Sequence, residues 1–127
     1  MPRFELCIET HFAAAHQLRG YDGDCARLHG HNWHVRLFVT CRELDALGMG
    51  VDYKVLKREL KAALAGWDHY NLNDIPPFDA INPTSENVAR VLLEEMGRRL
   101  NDGRVRVSRI EIAETCTASV TCWPDED

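Results

Sequence analysis

Apolar and polar side chains alternate along the first part of the chain, and this period of two predicts β-strands with one buried face. The alternation begins in residues 3–9, and we expect the strand to continue to about His16. It returns between His31 and Thr40. The apolar positions of the two strands are Phe4, Leu6, Ile8, Trp33, Val35, Leu37 and Val39. Residues 17–28 contain the glycines and aspartates of a loop, so the two strands form a predicted antiparallel hairpin.

Helical spacing follows in two stretches that a proline-containing loop separates. Asp52 is a predicted N-cap, because its carboxylate can accept from the free amides of the first turn. Thr84 is the predicted N-cap of the second helix, Glu86 is favourably placed in its first turn, and Asp102-Gly103 ends it. The apolar positions are Leu56, Leu60, Ala63, Leu64 and Trp67 in the first helix, and Val88, Val91, Leu92 and Met96 in the second.

Two further strands are predicted at about residues 104–114 and 118–123, which gives the order ββααββ. This order predicts an α+β fold, an antiparallel four-stranded sheet with two helices on one face, in a single domain of residues 1–127. Such a sheet has two edges that must be covered or paired. We therefore expect the chain to associate with copies of itself.

Composition and charge exclude several classes of protein. The 127 residues are 45% hydrophobic and 28% charged, which is ordinary for a globular protein. A signal peptide and an apolar run of membrane-spanning length are both absent from the sequence, so the expected location is the cytoplasm, without membrane binding. The net charge is −5 and the basic residues form no block, which argues against nucleic-acid binding. The five cysteines form no C-x-x-C pair and are interpreted as thiols.

Three histidines form a candidate metal site. His29 and His31 are two residues apart at the start of a predicted strand, so they share one face of the sheet. His16 lies at the end of the preceding strand, and pairing across the loop would bring it alongside them. Three imidazoles suit zinc and leave a fourth position for water or substrate. An H-G-H triplet alone is also compatible with histidines that bind no metal. We interpret His11 and His34, which lie outside the triplet, as ordinary histidines of this kind.

Cys25 lies in the loop four residues before His29. A thiol near zinc or an imidazolium ionises more readily than a free thiol, and the thiolate can act as a base. Two other interpretations stay open: a small buried residue without chemistry, and a fourth ligand of a structural zinc site. The spacing C-x3-H-x-H is unlike the usual zinc knuckles, which disfavours the last.

Two acidic positions are further candidates. Asp68 precedes His69 directly, and a carboxylate beside an imidazole can orient the ring, as in charge-relay sites. Glu114 ends the third of the long strands. It is either a rim charge or a partner for the N–H donors of a planar heterocycle.

Five motifs carry a resemblance that covers nearly the whole chain. They are F-x-A-A-H (Phe12–His16), C-x3-H-G-H (Cys25–His31), D-H-x-x-L-N-D (Asp68–Asp74), N-P-T-S-E (Asn82–Glu86) and E-T-C-T-A (Glu114–Ala118). In this order they resemble the 6-pyruvoyl-tetrahydropterin synthase family, and within it the 6-carboxy-tetrahydropterin synthases of queuosine biosynthesis. The resemblance implies the tunnelling fold, in which ββααββ units assemble into a barrel, and a homohexamer of two trimers with sites between subunits.

The resemblance also implies roles for individual residues. His16, His29 and His31 would bind one Zn2+ per subunit. Cys25 would accept a proton, with Asp68 and His69 relaying charge. Glu114 would anchor the pterin ring, and the turn formed by Thr84, Ser85 and Glu86 would complete that pocket. The implied substrate is 7,8-dihydroneopterin triphosphate, whose side-chain hydroxyls the zinc would polarise.

Three functions remain open at this point. The first is a carbon–carbon lyase that makes 6-carboxy-tetrahydropterin, and the second is a 6-pyruvoyl-tetrahydropterin synthase of tetrahydrobiopterin synthesis. Relatives of the second type usually have five residues between the Cys and H-G-H, where this chain has three. The third is a non-catalytic metal-binding oligomeric protein. Two departures from the family pattern, Ala113 in place of Lys and a missing second His after His69, leave the triphosphate contacts open, with Arg27 and Lys54 as candidates.

Overall fold

The computed structural model describes residues 2–125, so residues 1, 126 and 127 of the predicted domain lie outside the described part. Five strands and two helices follow one another along it. They are β1 (Phe4–His16), β2 (His29–Cys41), α1 (Tyr53–Leu64), β3 (Tyr70–Asn71), α2 (Ser85–Leu100), β4 (Val105–Thr115) and β5 (Ala118–Cys122), with short 3-10 turns at Asp24–Ala26 and Leu72–Asp74. None of the helices in this part of the chain is long and apolar enough to span a membrane.

The sheet has the strand order β3-β1-β2-β4-β5. The four long strands pair antiparallel, which confirms the predicted α+β architecture and the ββααββ order. The prediction of four strands was wrong by one, because β3 pairs parallel with Ala14 and Ala15 of β1. A strand of only two residues shows no alternation, so the sequence carries no signature of β3. Its pairing depends on the path that the chain takes after the end of α1.

Both helices contribute to one hydrophobic core with one face of the sheet. The predicted caps form: the Asp52 side chain accepts from the amide of Lys54, and Thr84 accepts from the amide of Asn87. The side chains buried at the centre of the core include Phe12, Trp33, Leu37, Leu56, Leu60, Phe78, Leu92, Met96, Ile110 and Ile112. Burial of such large apolar side chains is the main stabilising contribution, at about 1.5–3 kcal/mol each.

The opposite face of the sheet is polar. Arg36 pairs with Glu9 and Glu111, and Arg109 pairs with Glu5. Both arginines also lie against the ring of Phe38. His16, His29 and His31 lie at the end of the β1–β2 hairpin, on the core face, close to the first turn of α2.

Candidate active site

The register of the β1–β2 hairpin brings three histidines together. His16 pairs directly with His29, and Ala14 pairs with His31, so all three imidazoles lie on the core face. Their candidate ligand nitrogens lie within 4.8 Å of one another. The predicted clustering of these residues is therefore confirmed. Within residues 2–125, these three side chains form the group whose ligand atoms lie close enough together to hold one metal ion.

Two backbone carbonyls orient the rings. His16 Nδ1 donates to the carbonyl oxygen of Pro83 at 2.7 Å, and His29 Nδ1 donates to that of Arg27 at 2.7 Å. A carbonyl oxygen only accepts, so each Nδ1 carries the proton and each Nε2 keeps a lone pair. Nε2 of His16 and Nε2 of His31 are buried and have no hydrogen-bond partner in the described part of the structure. His16 combines a buried Nε2 lone pair with an Nδ1 proton held by a carbonyl, and this arrangement fits a metal ligand.

Burial favours the neutral form of His16 and His31. It lowers the pKa of His16 and of His31 below the ordinary value, and the nearby Glu114 carboxylate partly offsets the effect at both residues. The ring of Trp33 packs beneath His16 with centroids 4.8 Å apart, and its Nε1 donates to the carbonyl of Ala14. This packing excludes water from the core side of the cluster.

Glu114 connects the histidines to the first turn of α2. Its Oε1 accepts from Ser85 Oγ at 2.5 Å, and its Oε2 lies 3.7 Å from His31 Nε2. A cavity of about 230 Å³ is lined by Ser85, Glu86 and Glu114 together with residues of β5. The hydroxyl of Thr84 accepts from the amide of Asn87, so it caps α2 and is not among the residues that line this cavity.

Asp68 and His69 lie at the outer edge of β1. Asp68 Oδ1 accepts from the amide of Ala13 at 2.9 Å and pairs with His69 Nδ1 at 3.0 Å. The Ala13 hydrogen bond and the neighbouring His69 lower the pKa of Asp68. His69 has a positive φ of 69°, and its own amide donates to the carbonyl of Ala13. A groove of about 540 Å³ is lined by both His69 and His31, so His69 and the histidine cluster border the same space.

Cys25 lies in the 3-10 turn between β1 and β2 and is exposed. Its carbonyl accepts from the amide of Leu18 at 2.8 Å, which holds the turn beside the end of β1, two residues after His16. The thiol is not among the converging ligand atoms, so the geometry does not support Cys25 as a fourth ligand.

Several site residues were missed by sequence reasoning. The carbonyl of Pro83 holds His16, and that of Arg27 holds His29. Asn73 and Asn82 bind the backbone just after β1. The motifs D-H-x-x-L-N-D and N-P-T-S-E contain Asn73, Asn82 and Pro83, but the sequence carries no signal for contacts between a side chain and a distant backbone.

Comparison with known proteins gives consistent results. The family model described as "6-pyruvoyl tetrahydropterin synthase" matches residues 5–125. A 6-carboxy-5,6,7,8-tetrahydropterin synthase of Synechocystis sp. is 35% identical, with 87% of this chain and 86% of the relative covered. The enzyme of that name from Bacillus subtilis is 33% identical over 91% of this chain and 82% of its own length. The structure of Caenorhabditis elegans 6-pyruvoyl tetrahydropterin synthase superposes with a TM-score of 0.87 at 28% identity and covers 98% of each chain.

Proposed function

The chain belongs to the 6-pyruvoyl tetrahydropterin synthase family, and on this premise we propose that it is a zinc-dependent lyase. Its proposed reaction converts 7,8-dihydroneopterin triphosphate and water to 6-carboxy-5,6,7,8-tetrahydropterin, acetaldehyde and triphosphate. The observation that carries the proposal is the convergence of three imidazoles beside the Ser85–Glu114 pair. The names of relatives at 33–35% identity support the carboxy product.

His16, His29 and His31 would hold the zinc. His16 and His29 would bind through Nε2, because their Nδ1 atoms carry the protons, and His31 would bind through one of its ring nitrogens. When bound there, zinc would supply Lewis-acid polarisation of the hydroxyls on the substrate side chain. Support for this assignment comes from the buried, unpartnered Nε2 atoms and from the carbonyls that fix the Nδ1 protons.

Glu114 would bind the pterin ring. A carboxylate accepts hydrogen bonds from an amino group and a ring N–H at the same time, and Glu114 lines the cavity beside Ser85 and Glu86. Ser85 donates to one oxygen and so orients the carboxylate before substrate arrives. Thr84 would shape the same turn as the N-cap of α2.

Cys25 would accept the proton from the substrate side chain, and Asp68 with His69 would move charge at the other side of the site. The carboxylate of Asp68 holds the Nδ1 side of His69, so the Nε2 side of that ring is the one available to substrate. General acid–base groups of this kind contribute about a hundredfold to ten-thousandfold to a rate. The chain has Cys25, Asp68 and His69 at the positions of the family motifs, and this disfavours a non-catalytic metal-binding protein.

The spacing between Cys25 and His29 supports the carboxy product over the pyruvoyl product. The loop contains a 3-10 turn, and a hydrogen bond from the Leu18 amide to the Cys25 carbonyl fixes its position. A base placed differently against the same hydroxyls can select a different bond to break, because attack geometry discriminates strongly. In this proposal the chain works in the cytoplasm in queuosine biosynthesis as a single-domain subunit.

We also propose a homohexamer. In the described part of the chain, β1 pairs through its outer edge with two residues of β3, and β5 forms the opposite edge of the sheet. Long edges with free backbone groups favour pairing between subunits. Light scattering should report six subunits, and a stable, active monomer at micromolar concentration would refute this assembly.

Product analysis tests the proposed reaction. The purified protein is incubated with 7,8-dihydroneopterin triphosphate and the products are identified by mass. We expect 6-carboxy-tetrahydropterin, whereas a pyruvoyl pterin would assign the chain to tetrahydrobiopterin synthesis. Absence of any turnover by the zinc-loaded oligomer would favour the non-catalytic protein.

A further inference from the structure

The chain just after β1 is held by side chains in place of a neighbouring strand. Asn73 Oδ1 accepts from the amide of Gln17 at 2.8 Å, and its Nδ2 donates to the carbonyl of Gln17 at 3.0 Å. Asn82 makes the same two bonds to Arg19, both at 2.9 Å. Alternate residues of a strand present both backbone groups to one side, so in the described part of the chain these two carboxamides take the place of strand pairing.

The Asn82 bonds close a ring around His16. Asn82 holds Arg19, three residues after His16, and the next residue after Asn82 is Pro83, whose carbonyl accepts from His16 Nδ1. The two Asn82 bonds therefore connect the segment that follows His16 with the loop that carries the Pro83 carbonyl. They hold the donor and the acceptor of the Nδ1 hydrogen bond in place relative to each other.

The loop itself is anchored twice more. The carbonyl of Asn82 accepts from Asn87 Nδ2 in the first turn of α2 at 2.9 Å. The guanidinium of Arg19 donates to the carbonyls of Phe78 and Ile81. The acceptor for His16 is thus held relative to α2 as well as to β1, and Asn82 takes part in both sets of contacts.

We propose that Asn82, assisted by Asn73, is a positioning residue that sets the tautomer and direction of His16. A carboxamide offers, on two separate atoms, the acceptor and the donor that the backbone N–H and C=O of Arg19 require. With the Pro83 carbonyl in place, the proton stays on Nδ1 and the Nε2 lone pair points into the cluster. This inference rests on the proposed zinc site, where groups that orient a metal-binding histidine are typically worth about tenfold to a hundredfold in affinity.

The test compares Asn82→Ala with Asn101→Ala. Asn101 is the matched control, because its Oδ1 accepts from the backbone amide of Val107 at the other end of α2, far along the helix from the histidines. Zinc affinity is measured by competition with a chromophoric chelator. We expect a loss of about tenfold to a hundredfold in the Asn82 variant and wild-type affinity in the control.

A second readout does not depend on zinc. Nitrogen-15 spectra of the histidine rings in zinc-free protein should show the proton of His16 on Nδ1, and this preference should be lost in Asn82→Ala. If that variant does not fold, the isosteric Asn82→Asp, which lacks the donor, and Asn73→Asp replace it. Unchanged His16 signals and unchanged affinity would overturn the proposal, as would an equal loss in the Asn101 control. Wild-type protein without zinc affinity would refute the zinc site, while the ring spectra would still decide the role of Asn82.

Discussion

Ser85 donates from Oγ to Oε1 of Glu114 across 2.5 Å, at the point where the first turn of α2 meets the end of β4. The second carboxylate oxygen of Glu114 faces His31 Nε2 at 3.7 Å. One acidic side chain thereby joins the proposed pterin pocket to the proposed metal site. A ligand bound to Glu114 would lie beside the histidine cluster.

This relationship predicts different effects of two substitutions. Ser85→Ala frees the Glu114 carboxylate to rotate and should raise KM about tenfold to a hundredfold with little change in kcat, since a hydrogen bond to a charged group contributes about 1.5–3 kcal/mol. Glu114→Gln removes the charge and one acceptor, and should lower kcat/KM by a hundredfold or more, on the order of the loss of a charge-assisted bond. Steady-state kinetics measures both effects.

Ser108 offers a matched control for that experiment. Its hydroxyl donates to Oε2 of Glu5 at 2.8 Å, a serine–glutamate pair outside the proposed site. Ser108→Ala should leave both kinetic constants at wild-type values. Equal losses in the Ser85 and Ser108 variants would contradict a role of Ser85 in substrate binding.

The histidine cluster predicts the metal content of variants. His29→Ala or His31→Ala should strip zinc from the protein, because two remaining ligands seldom hold the ion. Metal analysis by mass spectrometry after dialysis measures this loss. His34→Ala is the control: His34 lies in the same strand but on the opposite face, paired with Glu9. Stoichiometric metal in both cluster variants would refute the assignment.

The Cys25→Ala variant distinguishes a role of Cys25 as a catalytic base from a role as a zinc ligand. The variant should fold and retain zinc, but it should lose about a hundredfold to ten-thousandfold in turnover, the usual contribution of a general base. Cys7→Ala, at a half-buried thiol of β1, should keep full activity. Loss of zinc together with activity in the Cys25 variant would make Cys25 a ligand.

The zinc-free protein should lose stability as the pH falls. Burial lowers the pKa of His16 and His31 in the folded state, so the unfolded chain takes up protons first. The free energy of unfolding should therefore be constant above about pH 7.5 and decline below about pH 6.5, the ordinary histidine pKa. Urea unfolding in the presence of a chelator, from pH 8 to 5.5, measures the decline. His16→Gln should make it shallower, and an equal slope in that variant would contradict the assignment to His16.

Much of the fold follows from local patterns in the sequence. The alternation in β1 and β2 predicts their pairing, and the H-G-H spacing places two imidazoles on one face without knowledge of tertiary structure. The first helix shows where such patterns fail. Its apolar spacing continues to Trp67, but the helix ends at Leu64, and the Trp67 amide donates to the Leu64 carbonyl in the following turn. Trp67 is buried nevertheless, because that turn keeps its ring on the core side.

The parts of the site that the sequence does not predict depend on contacts between distant backbone and side-chain groups. The Pro83 carbonyl acts on a residue 67 positions away, and no residue type signals an acceptor of this kind. The orientation of Asp68 likewise depends on the amide of Ala13, 55 positions away. Residue identities thus predict which side chains can bind a metal or transfer a proton. The orientation of those side chains is set by contacts with the loops packed around them.

The central claim is that turnover requires zinc on the three histidines and yields acetaldehyde. The most direct measurement removes the metal with a chelator, restores one equivalent of zinc per subunit, and counts acetaldehyde against triphosphate at each stage in wild type and in His29→Ala. We expect no turnover without zinc, one acetaldehyde per triphosphate after zinc is restored to wild type, and neither product from the variant. Equal turnover by the zinc-free protein, or triphosphate release without acetaldehyde, would contradict the claim.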